Sequence, residues 1–428
     1  GIFEMATGTG KTYAALGCAE YVFNSPEPKL IVITCPYQHL VTQWKREIIK
    51  FGLTCDQLYL TSEDQNWRDS LTDILCNIRL GQKKRTIVIT TNRTFSSNDF
   101  IQIIKNNKKD YKICLIADEV HGVGAEINSR GLLTDYDMRL GLSATPRRFL
   151  DEEGTEIIYN YFSKIVFEFS LEEAINRIRP DTGKTFLTPY RYIPEFISLT
   201  QKEIDAYTKQ TREISLKFHS KMNSEEKEEL LKNLYIKRAN IIKNAENKYE
   251  LLERILLNLP KPIKWTIIYC TPRQIDPVIR IVNRLGLRTH RFTMEEGTVP
   301  QKRFNNLSER DYILKKFAEG ELDVLLAMKC LDEGVDIPPA RIAILLASSG
   351  NPREYIQRIG RVIRHYENKK EAIIYDFIVA PSVSDTTLAE IEKKIFNKEL
   401  KRSLYIAGIA LNNSEALRKI YEQQKVLR

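Results

Sequence analysis

The sequence of 428 residues lacks the features that mark several classes of protein. Its longest apolar runs, such as residues 342–347, have the length of a buried strand and fall short of the roughly 20 residues of a membrane span. The first residues show neither the basic nor the long apolar stretch of a signal peptide. The seven cysteines are scattered without a C-x-x-C pair, so neither a zinc site nor a disulfide framework is predicted. We expect a cytoplasmic protein with no membrane partner.

The composition excludes a fibrous or mostly disordered chain, since 43% of the residues are hydrophobic and 28% are charged. The length exceeds what one hydrophobic core usually serves, so more than one domain is expected. The net charge of +9 divides into +3 for residues 1–150, −1 for residues 151–262 and +7 for residues 263–428. A modest positive excess in the first and last thirds permits nucleic-acid binding.

Short β-branched runs alternate with helical patterns in the first third and again in the last third. Such runs, separated by helices, predict α/β domains with parallel sheets. The predicted strands are Leu30–Cys35, Thr86–Thr90, Ile113–Ala117, Arg139–Ser143, Thr266–Cys270, Val324–Ala327, Ile342–Leu346 and Ala372–Tyr375.

The middle of the chain has a different pattern. Residues 200–259 contain neither glycine nor proline and are rich in charge, which predicts long helices. We therefore expect four regions: an α/β domain over residues 1–150, a connector with a charged helical insertion over 151–262, a second α/β domain over 263–380, and a helical tail over 381–428.

A glycine-rich turn stands between an apolar run and a helical pattern near the start of the chain. Gly8 and Gly10 allow a backbone path that turns N–H groups toward an anion at a helix N-terminus. With Thr9 they form the cradle, Lys11 supplies a positive charge for phosphates, and Thr12 supplies a hydroxyl for Mg²⁺. This pattern predicts a nucleotide phosphate site.

An acidic pair directly follows the predicted strand Ile113–Ala117. Asp118 is placed to hold Mg²⁺, and Glu119 to orient or deprotonate an attacking water. His121 could couple this site to a neighbouring element. By itself an acidic pair after a strand is often only a solvated loop, but a phosphate loop in the same sheet favours the catalytic interpretation.

Five short motifs occur in a fixed order and are distributed over nearly the whole length of the chain. They are residues 8–12 (GTGKT), 118–121 (DEVH), 143–146 (SATP), 333–338 (EGVDIP) and 357–364 (QRIGRVIR). The set resembles the superfamily 2 helicases and translocases, and within them the DEAD/DEAH-type branch that contains XPB-like DNA helicases and the motor subunits of restriction enzymes.

The resemblance implies two RecA-like domains that bind ATP and Mg²⁺ between them. It implies that Ser143 and Thr145 couple the ATP site to nucleic acid, and that Gly334 and Asp336 approach the nucleotide. Three further residues, all in the last motif, would serve as polar support and as arginine fingers: Gln357, Arg361 and Arg364. An arginine from a second domain supplies positive charge where negative charge develops on the γ-phosphate.

The family's nucleic-acid contacts can also be carried over to this sequence. They fall in loops after predicted strands, where backbone N–H groups and small hydroxyls contact phosphates with little sequence preference. The candidates are Pro36, Gln43, Thr91, Arg93, Thr271 and Lys329. For Trp44 we expect packing in the core.

The resulting hypothesis is an ATP-dependent DNA helicase or translocase, the motor core of a larger restriction, phage-defence or repair protein with nuclease or other partner subunits. Two alternatives stay open: a motor that acts on RNA, and a nucleotide-gated DNA-binding scaffold that does not move. The family's adenine-reading segment normally precedes the phosphate loop, which here starts just after Gly1. We therefore expect the chain to be a fragment.

Overall fold

The computed structural model describes most of the chain. Two compact units, Gly1–Phe186 and Leu187–Arg428, are recognised. The described residues are 1–27, 29–61, 64–108, 111–149, 151–218, 224–293, 296–297, 300–328, 337, 339–347, 352–380 and 388–425.

The first unit contains a seven-stranded sheet in the order β3-β4-β2-β5-β6-β1-β7, in which every paired neighbour is parallel. The strands are β1 (Ile2–Met5), β2 (Lys29–Cys35), β3 (Asp56–Leu60), β4 (Arg85–Thr91), β5 (Lys112–Asp118), β6 (Met138–Ser143) and β7 (Ile165–Phe169). The helices are α1 (Lys11–Phe23), α2 (Gln38–Phe51), α3 (Trp67–Arg79), α4 (Asn92–Phe95), α5 (Asn98–Asn107), α6 (Glu152–Phe162) and α7 (Leu171–Asn176).

Both faces of this sheet are buried, which explains why its strands read as continuous apolar runs. Successive side chains of a strand point to opposite faces. Leu30 and Val32 of β2 therefore pack in one cluster with α3, α5 and α6, whereas Ile31 and Ile33 pack in another with α1 and α2. The unit is thus a three-layer α/β domain, as the alternating pattern predicts.

The second unit contains a six-stranded sheet in the order β10-β11-β9-β12-β13-β8, again parallel throughout. The strands are β8 (Tyr190–Ile197), β9 (Thr266–Tyr269), β10 (Thr289–Phe292), β11 (Val324–Ala327), β12 (Ile342–Leu345) and β13 (Ala372–Val379). The helices are α8 (Gln201–Phe218), α9 (Ser224–Lys243), α10 (Asn247–Asn258), α11 (Ile275–Arg284), α12 (Glu309–Ala318), α13 (Pro352–Val362), α14 (Leu388–Gly408) and α15 (Asn413–Lys425).

The fold class and all eight predicted strands agree with the structure, and the two compact units divide at residues 186 and 187, within the predicted connector over residues 151–262. In that region α6 lies in the first unit, β7 is an edge strand of the first sheet, and β8 is an edge strand of the second sheet. Leu252 and Leu256 of α10 are buried against the second sheet. The charged helices can pack in this way because an amphipathic helix keeps its charges outside while burying one apolar stripe.

The C-terminal helices pack on the second unit. The buried hydroxyl of Tyr190 in β8 donates a hydrogen bond to the carbonyl of Ile406 in α14, at 2.8 Å. The amide side chain of Asn412 binds both the N–H and the carbonyl of Tyr192, at 2.8 and 3.0 Å, and so completes the edge of the sheet. Among the described helices, none is both long enough and apolar enough to cross a membrane.

Candidate nucleotide-hydrolysis site

The glycine-rich turn joins the end of β1 to the start of α1. Gly8 and Gly10 have φ angles of 88° and 97°, in the left-handed region that glycine adopts without strain. No side chain caps the first turn of α1, which lies wholly within the described residues. The N–H groups at this helix N-terminus are therefore directed at any anion in the turn, and the helix dipole favours such an anion.

The charged and hydroxyl groups of this loop are held by its own backbone. The ammonium of Lys11 donates to the carbonyl of Met5 at 3.2 Å, and the hydroxyl of Thr9 donates to the carbonyl of Ala6 at 2.7 Å. Met5 replaces the first glycine of the usual motif, and its side chain is buried. Thr12, the second residue of α1, is partly exposed. The loop thus places a cation and a hydroxyl at the start of α1, beside a helix N-terminus that no side chain caps.

The acidic pair lies at the end of β5, close to Lys11. Burial raises the pKa of Asp118 to about 6, and the charge of Glu119 adds to this shift. A hydrogen bond from Trp44, the charge of Lys11 and a backbone N–H act in the opposite direction. A buried carboxylate with too little positive charge around it is suited to a cation, and Mg²⁺ is commonly held by one or two carboxylates together with substrate phosphates. Thr12 and Asp118 fit that role.

Trp44 is a site residue that the sequence analysis missed. It is 1% exposed and packs in the core as expected, yet its Nε1–H also donates to Oδ2 of Asp118 at 2.9 Å. The N–H of Glu119 donates to Oδ1 at 3.0 Å. Both oxygens of Asp118 are thereby oriented. The two residues lie 74 positions apart, so no local pattern could have revealed this contact.

Glu119 has a φ angle of 47°, which is uncommon for a residue with a side chain. It directly precedes the short 3-10 helix Val120–Gly122, so the chain turns sharply where the strand ends. Such backbone strain costs on the order of 1–3 kcal/mol and is found mostly at functional sites. Here the turn directs the carboxylate toward β6, with its Oε2 3.4 Å from Nδ1 of His121.

The three predicted coupling residues lie in one hydrogen-bonded chain with Glu119. The hydroxyl of Ser143, at the end of β6, is 3.2 Å from Nδ1 of His121 and 3.5 Å from Oε2 of Glu119. The N–H of Thr145 donates to the same hydroxyl at 3.1 Å. His121 and Ser143 are buried. The Glu119 carboxylate is therefore connected by hydrogen bonds to the loop after β6.

The predicted nucleic-acid contacts of the first unit cluster after β2 and β4, which are parallel neighbours. Pro36 and Gln43 are partly exposed, and Arg93 is exposed on α4. The Thr91 hydroxyl is committed locally, because it accepts from the N–H of Thr94 and caps α4. The hydroxyl of Thr34 binds the side chain of Asn92, and this bond joins the two loops at 2.7 Å.

The remaining predicted residues belong to the second unit. The Thr271 hydroxyl is engaged by the side chain of Asn244 at the end of the helical insertion. Gln357 and Arg361 of α13 are buried, at 2% and 3% exposure, and Arg364 is partly exposed just beyond the helix. Three further candidates lie outside the described residues: Lys329, Gly334 and Asp336.

The Gln357 side chain stands out in α13. Within the described part of the chain its buried Oε1 accepts no hydrogen bond. Buried polar atoms without a partner are rare and costly, so such an atom is typical of a functional position. Arg358, by contrast, is fixed to the scaffold: it donates to the carbonyl of Ala347 at 2.7 Å and stacks on the ring of Tyr269.

Comparison with known families agrees with this arrangement. Residues 1–148 match the family described as "Type III restriction enzyme, res subunit", and residues 247–366 match the "Helicase conserved C-terminal domain". The DNA 3'-5' translocase XPB2 of Sulfurisphaera tokodaii is 29% identical over 91% of this chain and 80% of its own length. The putative DNA 3'-5' helicase Rad25 of Haloarcula marismortui is 25% identical over 85% of this chain and 48% of its own.

Two solved structures share the fold. The ATP-dependent Type ISP restriction-modification enzyme LlaBIII bound to DNA aligns with a TM-score of 0.61 at 16% identity, over 98% of this chain and 28% of that one. The Pyrococcus furiosus Hef helicase domain aligns with a TM-score of 0.54 at 16% identity, over 93% and 94% of the two chains. The chain has two RecA-like units, a phosphate loop and the Glu119 network. It belongs to superfamily 2 of the helicases and translocases, in the branch of the XPB-like helicases and the Res subunits of restriction enzymes. Members of this superfamily are nucleic-acid-dependent ATPases.

Proposed function

We propose that the chain is an ATP-driven motor that translocates along DNA or unwinds it. The observation that carries this proposal is the hydrogen-bonded chain from Glu119 through His121 and Ser143 to Thr145. An enzyme that only hydrolysed a nucleotide would need the Glu119 carboxylate but not a buried path from it to a second strand end. Such a path suits a protein in which hydrolysis and polymer binding influence each other.

Each residue of the first unit then has a definite task. The N–H groups of the phosphate loop and the ammonium of Lys11 bind the phosphates of ATP. Thr12 and Asp118 hold Mg²⁺, which when bound neutralises charge on the phosphates. Glu119 orients the attacking water and accepts its proton. Trp44 keeps the Asp118 carboxylate oriented.

The second unit contributes positive charge to the same reaction. We assign Arg361 and Arg364 as arginine fingers, with Gln357 as polar support. The unpartnered oxygen of Gln357 in the described part of the chain supports that assignment. Gly334 and Asp336 keep the nucleotide-binding role that the family motif implies.

DNA is the proposed polymer because the relatives with long matches include a DNA translocase and two putative DNA helicases. The net charge of +9 is compatible with it. The proposed DNA contacts of the first unit are Pro36, Gln43 and Arg93, which follow the carboxyl ends of β2 and β4. Lys329 is the proposed contact of the second unit. Because Asn244 and the α4 cap hold the Thr271 and Thr91 hydroxyls, we assign only a backbone role to these two residues.

The chain spans 80%, 60% and 48% of the length of three relatives and 28% of the restriction enzyme. We propose that it works as the motor of a larger cytoplasmic restriction, phage-defence or repair protein with nuclease or other subunits. The restriction-enzyme family model that matches residues 1–148 supports this context.

ATP hydrolysis measured with duplex DNA, single-stranded DNA and RNA in turn tests the choice of polymer. We expect DNA to stimulate the rate at least about tenfold more than RNA, with a stimulation that falls as salt rises, because phosphate contacts release counterions. Displacement of a third strand from a DNA triplex reports movement. Stimulation by RNA alone would establish the RNA motor, and DNA-stimulated hydrolysis without displacement would favour the scaffold.

A further inference from the structure

The helix α13 carries Gln357 and Arg361, and its other side is held by a buried carboxylate. The hydroxyl of Tyr355 donates to Oδ2 of Asp376 in β13 at 2.9 Å, and the hydroxyl of Tyr192 in β8 donates to the same oxygen at 2.7 Å. Each residue of a helix advances by about 100°, so Tyr355 projects nearly opposite to Gln357. The Asp376 carboxylate therefore binds the helix on the side opposite to Gln357.

All three members of this cluster are buried, and Asp376 is 0% exposed. The guanidinium of Arg402 in α14 lies 3.5 Å from its Oδ1 and stacks over the ring of Tyr355, 5.0 Å from the centroid. Burial raises the pKa of both tyrosine hydroxyls far above their ordinary value, so the hydroxyls stay protonated and donate at every physiological pH. The cluster is a permanent set of directional bonds.

The end of α13 is fixed in a similar way. The buried ammonium of Lys369 donates to the carbonyls of Val362 and Arg364, the latter at 2.8 Å. The N–H of Thr188 donates to the carbonyl of Ile363 at 2.7 Å, and its hydroxyl to the carbonyl of Arg364 at 3.2 Å. These bonds fix the end of the helix, while Arg358 and Tyr355 fix two different sides of its middle.

A buried charge is an expensive way to gain stability alone, since well-packed apolar residues usually serve as well. Two hydroxyls that converge on one oxygen provide orientation instead, because hydrogen bonds are directional and packing is not. We propose that Asp376, acting through Tyr355, is a positioning residue that sets the rotation of α13 and so directs Gln357 and Arg361. This inference rests on the finger role proposed for Arg361.

Tyr355→Phe tests the inference with the least disturbance, since it removes one oxygen and keeps the ring. The matched control is Tyr190→Phe, which removes another buried hydroxyl from the same unit, one that binds a carbonyl of α14 and not Asp376. The readouts are kcat and KM of DNA-stimulated ATP hydrolysis and the thermal unfolding midpoint of each variant. Asp376→Asn replaces Tyr355→Phe if the latter does not fold.

We expect Tyr355→Phe to lower kcat about tenfold while KM for ATP changes less than twofold, because an interaction of the transition state is lost and ground-state binding is kept. Tyr190→Phe should lower the unfolding midpoint comparably and leave kcat within twofold. Equal losses of kcat in the two variants, or no loss in Tyr355→Phe, would overturn the inference, since the contact would then act through stability alone.

A double-mutant cycle with Arg361→Ala separates this inference from the proposed function. If Tyr355 acts by orienting Arg361, Tyr355→Phe should change kcat less than twofold once Arg361 is absent. A further tenfold loss in that background would overturn the positioning role. Normal turnover of Arg361→Ala alone would instead sink the finger assignment, which is a different outcome.

Discussion

The two units position the residues of their sequence motifs in different ways. In the first, residues of the motifs bind one another: the N–H of Glu119 binds the adjacent Asp118, and the hydroxyl of Ser143 lies 3.5 Å from Oε2 of Glu119. In the second, α13 is bound to Asp376, 21 residues from Tyr355, and Asp376 in turn to Tyr192, 184 residues away. The motifs of the first site hold one another, with Trp44 as an outside partner of Asp118, whereas α13 is held by scaffold residues outside the motifs.

This difference has a physical basis. A strand that ends at the edge of a parallel sheet places its next residues in a loop, where local turns and backbone N–H groups can hold them. A helix on the face of a sheet can slide and rotate unless side chains from other elements fix it. Motifs in the first unit therefore hold one another with one outside partner, Trp44, and the motif in the second needs buried partners from other elements.

The largest expected effect comes from Glu119→Gln, which breaks the locally organised site. Because the amide has the shape of the carboxylate but cannot accept a proton, we expect kcat to fall at least about 100-fold with ATP affinity within threefold. Lys11→Ala should also abolish hydrolysis, because the phosphates lose their cation. Rapid-quench measurement of hydrolysis and fluorescent-nucleotide binding provide the two quantities. Glu126→Gln on the neighbouring exposed loop is the control, and normal turnover of Glu119→Gln would contradict the site assignment.

A smaller effect is expected for Trp44→Phe, the long-range contact within the first unit. Loss of the donor to Asp118 should raise the Mg²⁺ concentration for half-maximal ATPase activity about tenfold, as is usual when a group that orients a metal ligand is removed. Trp67→Phe removes a comparably buried indole from α3, away from Asp118, and should leave the Mg²⁺ requirement unchanged. An equal shift in both variants would show that packing alone is responsible.

The smallest effect concerns the scaffold of the second unit. Burial would raise the pKa of Asp323, but hydrogen bonds from Arg288 and Lys264 outweigh it and lower the pKa to about 2. The stabilisation is therefore fully present above the unfolded pKa of about 3.9 and is lost as pH falls toward 2. Asp323→Asn should destabilise by about 1–2 kcal/mol at pH 7, since Arg288 is half exposed and solvent screens its charge.

Unfolding of wild type and Asp323→Asn between pH 7 and pH 3 checks this sign. The difference between them should be constant down to about pH 5 and should shrink below it. Asp181→Asn removes a fully exposed partner of Arg179 and should cause no measurable change at any pH. A difference that grows as the pH falls would mean that Asp323 does not owe its stability to its ionised form.

Much of the first unit could be predicted from the sequence, because each of its signals is local. The run Leu30–Cys35 alternates between two buried faces and reads as a strand, and Gly8 and Gly10 mark a left-handed turn. The strands β1, β3, β7, β8 and β10 were not predicted; β3 (DQLYL) and β10 (THRF) carry too few apolar residues to read as buried strands.

The sequence by itself determined two parallel α/β units, the phosphate loop, and the identity of the acidic and arginine motifs, because periodicity and motif spacing are properties of neighbouring residues. Only the tertiary structure decided that Trp44 orients Asp118, that Asn244 forms a hydrogen bond with Thr271, and that Asp376 forms one with Tyr355 of α13. Those contacts join elements distant in sequence, and their distances and directions arise only when the sheets bring the elements together.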